Sequence, residues 1–116
     1  MSAQDLIDAH FAIWNDPDPA SRLPRFAAVC RPDVVVADYA AEVAGFAKVN
    51  DLTDRVQREN AGFVFTPEPV VWNHGLGRVV WGYGPPDDPD RVRGEDIFTI
   101  REGLLATLHV FIVAGG

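Results

Sequence analysis

The chain has 116 residues, of which ten are basic and seventeen acidic, so its formal net charge is −7. This length fits a single domain, residues 1–116, and the negative charge disfavours nucleic acid and membrane surfaces as partners. Cys30 is the only cysteine, which excludes an intramolecular disulfide and a cysteine-rich metal site. No signal peptide is predicted at the N-terminus, so we expect a cytoplasmic location.

Three helices are predicted in the N-terminal half. Ser2 and Asp5 have the spacing of a capping box ahead of a helical apolar pattern. Pro17 ends that first helix, because a proline pushes the preceding residue out of helical backbone space. The predicted helices run from Ala3 to about Asn15, from Pro19 to about Cys30 and from Phe46 to Gly62.

Short β-rich runs make up the rest of the chain, and no helix is predicted after Gly62. Helices followed by a strand meander are typical of an α+β domain, here an antiparallel sheet packed on three N-terminal helices. The predicted strands are Val34–Ala37, Ala41–Val43, Phe63–Phe65, Val70–Trp72, Arg78–Tyr83, Gly94–Arg101 and Leu104–Val113.

Six short motifs follow one another in a characteristic order over almost the whole chain. They are Trp14-Asn15-Asp16-Pro17-Asp18, Arg31-Pro32-Asp33, Asp38, Glu42-Val43-Ala44-Gly45, Arg78–Gly84 and Gly94–Phe98. Their order and spacing resemble SnoaL-like proteins of the nuclear transport factor 2-like (NTF2-like) superfamily. The resemblance implies a cone-shaped α+β fold, in which a curved sheet and three helices enclose a pocket and dimers are common. It does not fix a reaction, because the superfamily includes isomerases, cyclases, hydrolases and non-catalytic binding domains.

Asp96 lies in a predicted strand whose two faces differ. Alternation places it with Phe98 and Ile100 on the more apolar face. Burial there disfavours the ionised carboxylate and raises its pKa, as a general acid requires. The resemblance agrees, because Asp96 matches the third-strand acid of the cyclases and ketosteroid isomerases. The alternative is an edge carboxylate in a salt bridge with Arg93 or Arg78.

Asp38 and His10 are the other two candidate catalytic residues. Asp38 ends a predicted strand and matches the proton-abstracting aspartate of ketosteroid isomerases, although Tyr39 replaces the proline that usually follows. An aspartate at a strand end is also an ordinary turn-former. His10 lies between Leu6 and Trp14 on the apolar face of the first helix. The resemblance puts it in the place of an oxyanion-stabilising tyrosine, and the alternative is a core histidine.

Aromatic side chains are the candidate substrate-binding residues, because they can line a cavity for a flat apolar ligand. The three candidate catalytic residues together offer one nitrogen and two carboxylates, but no short ligand spacing supports a metal site. We therefore predict neither a metal nor a cofactor. The aromatic candidates are Trp14, Trp81, Tyr83 and Phe98.

The last predicted strand, Leu104–Val113, is apolar on both faces. A half-solvated strand would alternate, so a second copy of the protein is expected to cover its outer face and form a homodimer. The sequence thus predicts a SnoaL-like domain with a pocket for a small apolar molecule, acting as an isomerase or cyclase by proton transfer. The alternative is a non-catalytic domain of the same kind that binds a ligand or acts in protein interaction or dimerisation.

Overall fold

Three helices and seven strands build the chain, of which the structure, a computed structural model, describes residues 1–115. The helices are α1 (Ala3–Trp14), α2 (Pro19–Arg22), continued by a 3₁₀ segment (Leu23–Ala28), and α3 (Phe46–Glu59). The strands are β1 (Cys30–Ala37), β2 (Glu42–Ala44), β3 (Val64–Pro67), β4 (Val71–Asn73), β5 (Leu76–Gly84), β6 (Val92–Arg101) and β7 (Leu104–Gly115). The predicted α+β class is confirmed.

The predicted capping box begins α1. The Ser2 hydroxyl accepts a hydrogen bond from the Asp5 backbone N–H at 3.1 Å, and the Asp5 carboxylate accepts one from the Ser2 backbone N–H at 3.1 Å. The second helix is shorter than predicted, because Pro24 has no N–H to continue the α-helical pattern and the chain tightens into the 3₁₀ segment. Cys30, predicted as the end of that helix, is instead the buried first residue of β1.

The sheet has the strand order β2-β1-β7-β6-β5-β3, with β4 paired to β5. The prediction of a wholly antiparallel sheet is wrong at one place, since β1 and β7 are parallel. Parallel neighbours need a long crossover, and here all the elements from β2 to β6 lie between them. Register shifts at Arg93/Gly94 and Thr99/Ile100 interrupt the β6–β7 ladder, and such bulges bend a sheet.

A buried arginine fixes the helices to one another. Arg22 is fully buried, and its Nε donates to Asn50 Oδ1 at 2.8 Å. Its Nη1 donates to Gln57 Oε1 at 2.8 Å and to the Asp16 carbonyl at 2.9 Å, while Nη2 donates to Asp54 Oδ1 at 3.1 Å. These bonds satisfy a charge that would otherwise be costly to bury, and they hold α2 and the segment after α1 against α3. No helix within residues 1–115 is long and apolar enough to cross a membrane.

Candidate active site

A cavity of about 500 Å³ lies between the helices and the inner face of the sheet. Side chains from α1, α3 and five of the seven strands form its wall. Six of the seven predicted site residues line it, namely His10, Trp14, Asp38, Trp81, Tyr83 and Asp96.

Asp96 lies on the inner face of β6 and is 3% exposed. Its Oδ1 accepts a hydrogen bond from the Trp81 indole Nε1 at 2.9 Å. Burial raises the pKa of Asp96 to about 7, and the Trp81 hydrogen bond acts in the opposite direction. The alternative of a salt bridge is wrong, because Arg93 pairs with Asp90 and Glu68, whereas Arg78 lies 3.9 Å from Glu95.

His10 reaches the same carboxyl group from α1. Its Nε2 lies 3.9 Å from Asp96 Oδ2, beyond direct hydrogen-bond distance but close enough for one ligand or water atom to bridge. The His10 ring packs against Phe11 and Trp14, with centroid distances of 4.9 and 5.5 Å. Burial lowers the pKa of His10 to about 3. The imidazole is therefore neutral at physiological pH and can donate one hydrogen bond.

A glycine opposite Trp81 allows the indole to reach Asp96. Trp81 pairs with Gly94 across β5 and β6. A Cβ on Gly94 would lie 2.4 Å from Trp81 Cη2, a distance that side chains do not tolerate. The sequence pattern predicts Trp81 as part of an apolar wall but does not predict its role as a hydrogen-bond donor. The available signal is a glycine two residues before Asp96 on the same face, a pattern that marks close approach of another group.

Asp38 follows β1 and is held by three donors. Its Oδ1 accepts hydrogen bonds from the backbone N–H groups of Ala40 and Ala41 at 2.9 and 2.8 Å. Its Oδ2 accepts one from Arg55 Nη2 at 2.7 Å. Asp38 is thus both a turn-former and a cavity-lining residue. Tyr39, which follows it, lies at the cavity wall with 77% of its surface exposed.

Aromatic rings form much of the remaining wall. Phe65 stacks on Tyr83 with centroids 3.9 Å apart and meets Trp81 edge-on at 5.2 Å. Two polar atoms in this wall, Trp14 Nε1 and the Tyr83 hydroxyl, are buried and have no hydrogen-bond partner among residues 1–115.

Phe98 is the one predicted site residue that lies outside the cavity. It is fully buried farther along β6, under Gly77 and stacked with Trp72 at a centroid distance of 6.0 Å. Strand alternation predicts the face of the sheet on which Phe98 lies, but it does not predict how far the cavity extends along that face. Among the residues that the structure describes, no group of three or more histidine, cysteine or acidic side chains is arranged to hold a metal ion.

Comparison with known proteins gives no match in sequence to a family model or to a curated protein. Several solved structures are similar to this chain in fold. A candidate isomerase of the SnoaL-like family from Agrobacterium tumefaciens aligns with a TM-score of 0.87 and 17% identity, over 95% of this chain and 96% of its own. An NTF2-like protein of unknown function from Cytophaga hutchinsonii aligns with a TM-score of 0.73 and 9% identity, over 97% of this chain and 91% of its own. A candidate polyketide cyclase from Sinorhizobium meliloti aligns with a TM-score of 0.71 and 19% identity, over 91% of this chain and 93% of its own.

The chain has the NTF2-like fold. The resemblance stated from the sequence motifs is therefore confirmed at the level of the fold. Because one NTF2-like architecture serves several chemistries, the reaction has to be argued from the residues around the cavity.

Proposed function

We propose that this protein binds a small, mostly apolar carbonyl compound and catalyses proton transfer within it, as an isomerase or a cyclase. One observation carries the proposal: Asp96 is a buried carboxyl group in the wall of an apolar cavity, with its pKa raised to about 7. A pKa near the working pH suits a group that has to accept a proton and then return it.

The chemistry follows from the positions of two side chains. Ionised Asp96 removes a proton from the carbon next to the carbonyl group. The electrons of that C–H bond form a C=C bond, and the π electrons of the C=O bond move to the carbonyl oxygen. The neutral His10 N–H donates a hydrogen bond to the resulting enolate oxygen. In an isomerase, Asp96 returns the proton to another carbon of the conjugated system. In a cyclase, the enolate carbon instead bonds to a second carbonyl carbon of the same molecule. The π electrons of that C=O bond move to its oxygen, and protonated Asp96 gives the proton to that oxygen.

Trp81 positions the carboxyl group, because its hydrogen bond occupies Oδ1 and leaves Oδ2 on the side of His10. We assign the proton transfer to Asp96 and not to Asp38, which the resemblance implied as the base. Three hydrogen bonds already engage both oxygens of Asp38. Its role in this proposal is to hold the segment after β1 at the cavity mouth together with Arg55.

The test uses 3-cyclohexenone, a small ketone whose conversion to the conjugated isomer changes its ultraviolet absorbance. We expect wild-type protein to accelerate this conversion and Asp96→Asn to lose at least about 100-fold of the rate, the usual contribution of a general base. Glu95→Gln is the matched control, because it removes the same charge from the outer face of β6.

Equal rates for wild type and Asp96→Asn would refute the assignment. A ligand that binds in the cavity of the wild-type protein without proton exchange in D₂O, across a panel of ketones, would instead favour the non-catalytic ligand-binding alternative.

A further inference from the structure

We propose that the cavity also binds hydrophobic ammonium ions, with the ammonium group against Asp96 Oδ2 and the organic part against the aromatic wall. This inference concerns binding alone. It uses the same cavity as the proposed reaction but does not require that reaction to occur.

The charges around the cavity have one sign. The charged residues in its wall are Asp38, Glu59 and Asp96, and among the lining residues that the structure describes there is no lysine or arginine. Arg55 compensates Asp38 from behind, with Nη2 at 2.7 Å from Oδ2. An anionic ligand therefore meets no free positive group, whereas a cation meets a carboxylate.

One carboxylate oxygen is free to accept a hydrogen bond. Asp96 Oδ1 is engaged by Trp81, but Oδ2 accepts no hydrogen bond from any residue between 1 and 115, and its nearest basic nitrogen is His10 Nε2 at 3.9 Å. An ionised oxygen that faces an apolar cavity without a donor is poorly solvated, which is costly. An ammonium N–H removes that cost and forms the stronger, charge-assisted type of hydrogen bond.

The aromatic wall suits a cation as well as an apolar skeleton. Trp81, the donor to Asp96, lies edge to face with Phe65 at 5.2 Å, and Phe65 lies 6.2 Å from Trp14 in the wall of the same cavity. The negative faces of such rings attract ammonium ions, most strongly where water is excluded. The same combination of rings and one carboxylate repels a carboxylate ligand of equal size.

Binding of an ammonium ion is expected to depend on pH through Asp96, because the ion requires the ionised carboxylate. Burial raises the pKa of Asp96 to about 7, so the affinity rises about tenfold between about pH 6 and about pH 8. His10 stays neutral over this range, since burial lowers its pKa to about 3, and Tyr83 stays neutral because burial raises its pKa to about 12. The other charged groups around the cavity are Asp38 with Arg55, and Glu59.

The test compares three ligands of similar size by calorimetry or tryptophan fluorescence: 2-phenylethylammonium, 2-phenylethanol and phenylacetate. At about pH 8 we expect the ammonium ion to bind at least about tenfold more tightly than the alcohol, and phenylacetate to bind most weakly. Near pH 6 the preference for the ammonium ion over the alcohol should shrink about tenfold, because most Asp96 is then protonated.

Asp96→Asn separates the carboxylate from the rest of the cavity, because an asparagine oxygen can still accept the Trp81 hydrogen bond. We expect it to abolish the preference for the ammonium ion over the alcohol, while Glu95→Gln keeps that preference. Equal binding of amine and alcohol by the wild type at about pH 8, or a preference that survives in Asp96→Asn, would overturn the inference. The cyclohexenone assay measures catalysis and the ligand comparison measures binding. The failure of one proposal can therefore be distinguished from the failure of the other.

Discussion

Asp96 and His10 lie 3.9 Å apart in the interior, and when the two groups share one proton they form either an ion pair or two neutral groups. Burial penalises both charges, and the separation is too long for a direct hydrogen bond that would repay the loss of hydration. The neutral pattern therefore dominates near pH 5, with the pKa of Asp96 raised to about 7 and that of His10 lowered to about 3.

The neutral pair predicts opposite pH dependences of stability for the two residues. Between about pH 4 and 7 folded Asp96 keeps a proton that the unfolded chain releases, so its contribution to the free energy of unfolding falls as pH rises. Between about pH 3 and 6.5 folded His10 lacks a proton that the unfolded chain binds, so its contribution rises with pH. In the wild type the two slopes largely cancel where these ranges overlap.

A single substitution at either residue makes the pH dependence that the other residue contributes to the free energy of unfolding measurable. We expect Asp96→Asn to gain stability relative to the wild type by about 1.4 kcal/mol per pH unit between about pH 4 and 7. His10→Gln should be more stable than the wild type near pH 4 and lose that advantage towards pH 6.5. Urea denaturation across this range measures both. An ion pair would instead make both variants less stable than the wild type throughout this pH range, and a loss of stability in Asp96→Asn at pH 7 would exclude the neutral pair.

Two aromatic residues of the β5–β6 ladder each pack over a glycine on the opposite strand. Trp81 pairs with Gly94, and Gly77 pairs with Phe98. A Cβ at either glycine would come within 2.4 Å of the opposing ring. Both contacts hold the strands together, but only the first one involves the donor to Asp96.

We expect Gly94→Ala and Gly77→Ala each to lower the free energy of unfolding by about 1–3 kcal/mol through overpacking. Gly94→Ala should also displace the Trp81 indole, weaken its hydrogen bond and so raise the pKa of Asp96 further. Gly77→Ala displaces Phe98 and should leave that pKa in place. Urea denaturation and carboxyl ¹³C NMR titration measure the two effects. The same pKa change in both variants would contradict a specific role for the Trp81–Gly94 contact.

Strand alternation alone is sufficient to predict that Asp96 is buried, because side chains of a strand point to each face in turn. The Trp81–Asp96 bond depends on the register between β5 and β6, which neither strand specifies by itself, and it was not predicted. The sequence pattern predicts the start of β1 at Val34 and not at Cys30 for a related reason. The β1–β7 register breaks between Cys30 and Val35, so these residues do not form one continuous ladder.

Apolar side chains are exposed on the outer face of the sheet near the end of β7. Phe111 and Val113 are 52% and 64% exposed, and Glu95 and Arg78 on the neighbouring strands supply charges of both signs. An apolar patch flanked by charges of both signs can bind the same patch of a second copy across a two-fold axis, because the acidic group of one copy then faces the basic group of the other.

We expect light scattering at tens of micromolar to give the mass of a dimer, and Phe111→Glu to give a monomer, because a buried charge at the interface is unfavourable. Leu23→Glu is the control, since Leu23 is an exposed apolar residue on the helical side. A monomer mass for the wild type would refute the predicted homodimer.

The parallel pairing of β1 with β7 also has a consequence during synthesis on the ribosome. β7 fills the position between β1 and β6, so the two halves of the sheet have no common neighbour until the last strand has emerged. Until then β1 and β6 both expose unpaired backbone edges, which are the usual templates for aggregation. The nascent chain therefore cannot complete its sheet progressively from the N-terminus, and its folding is tied to translation of the final strand.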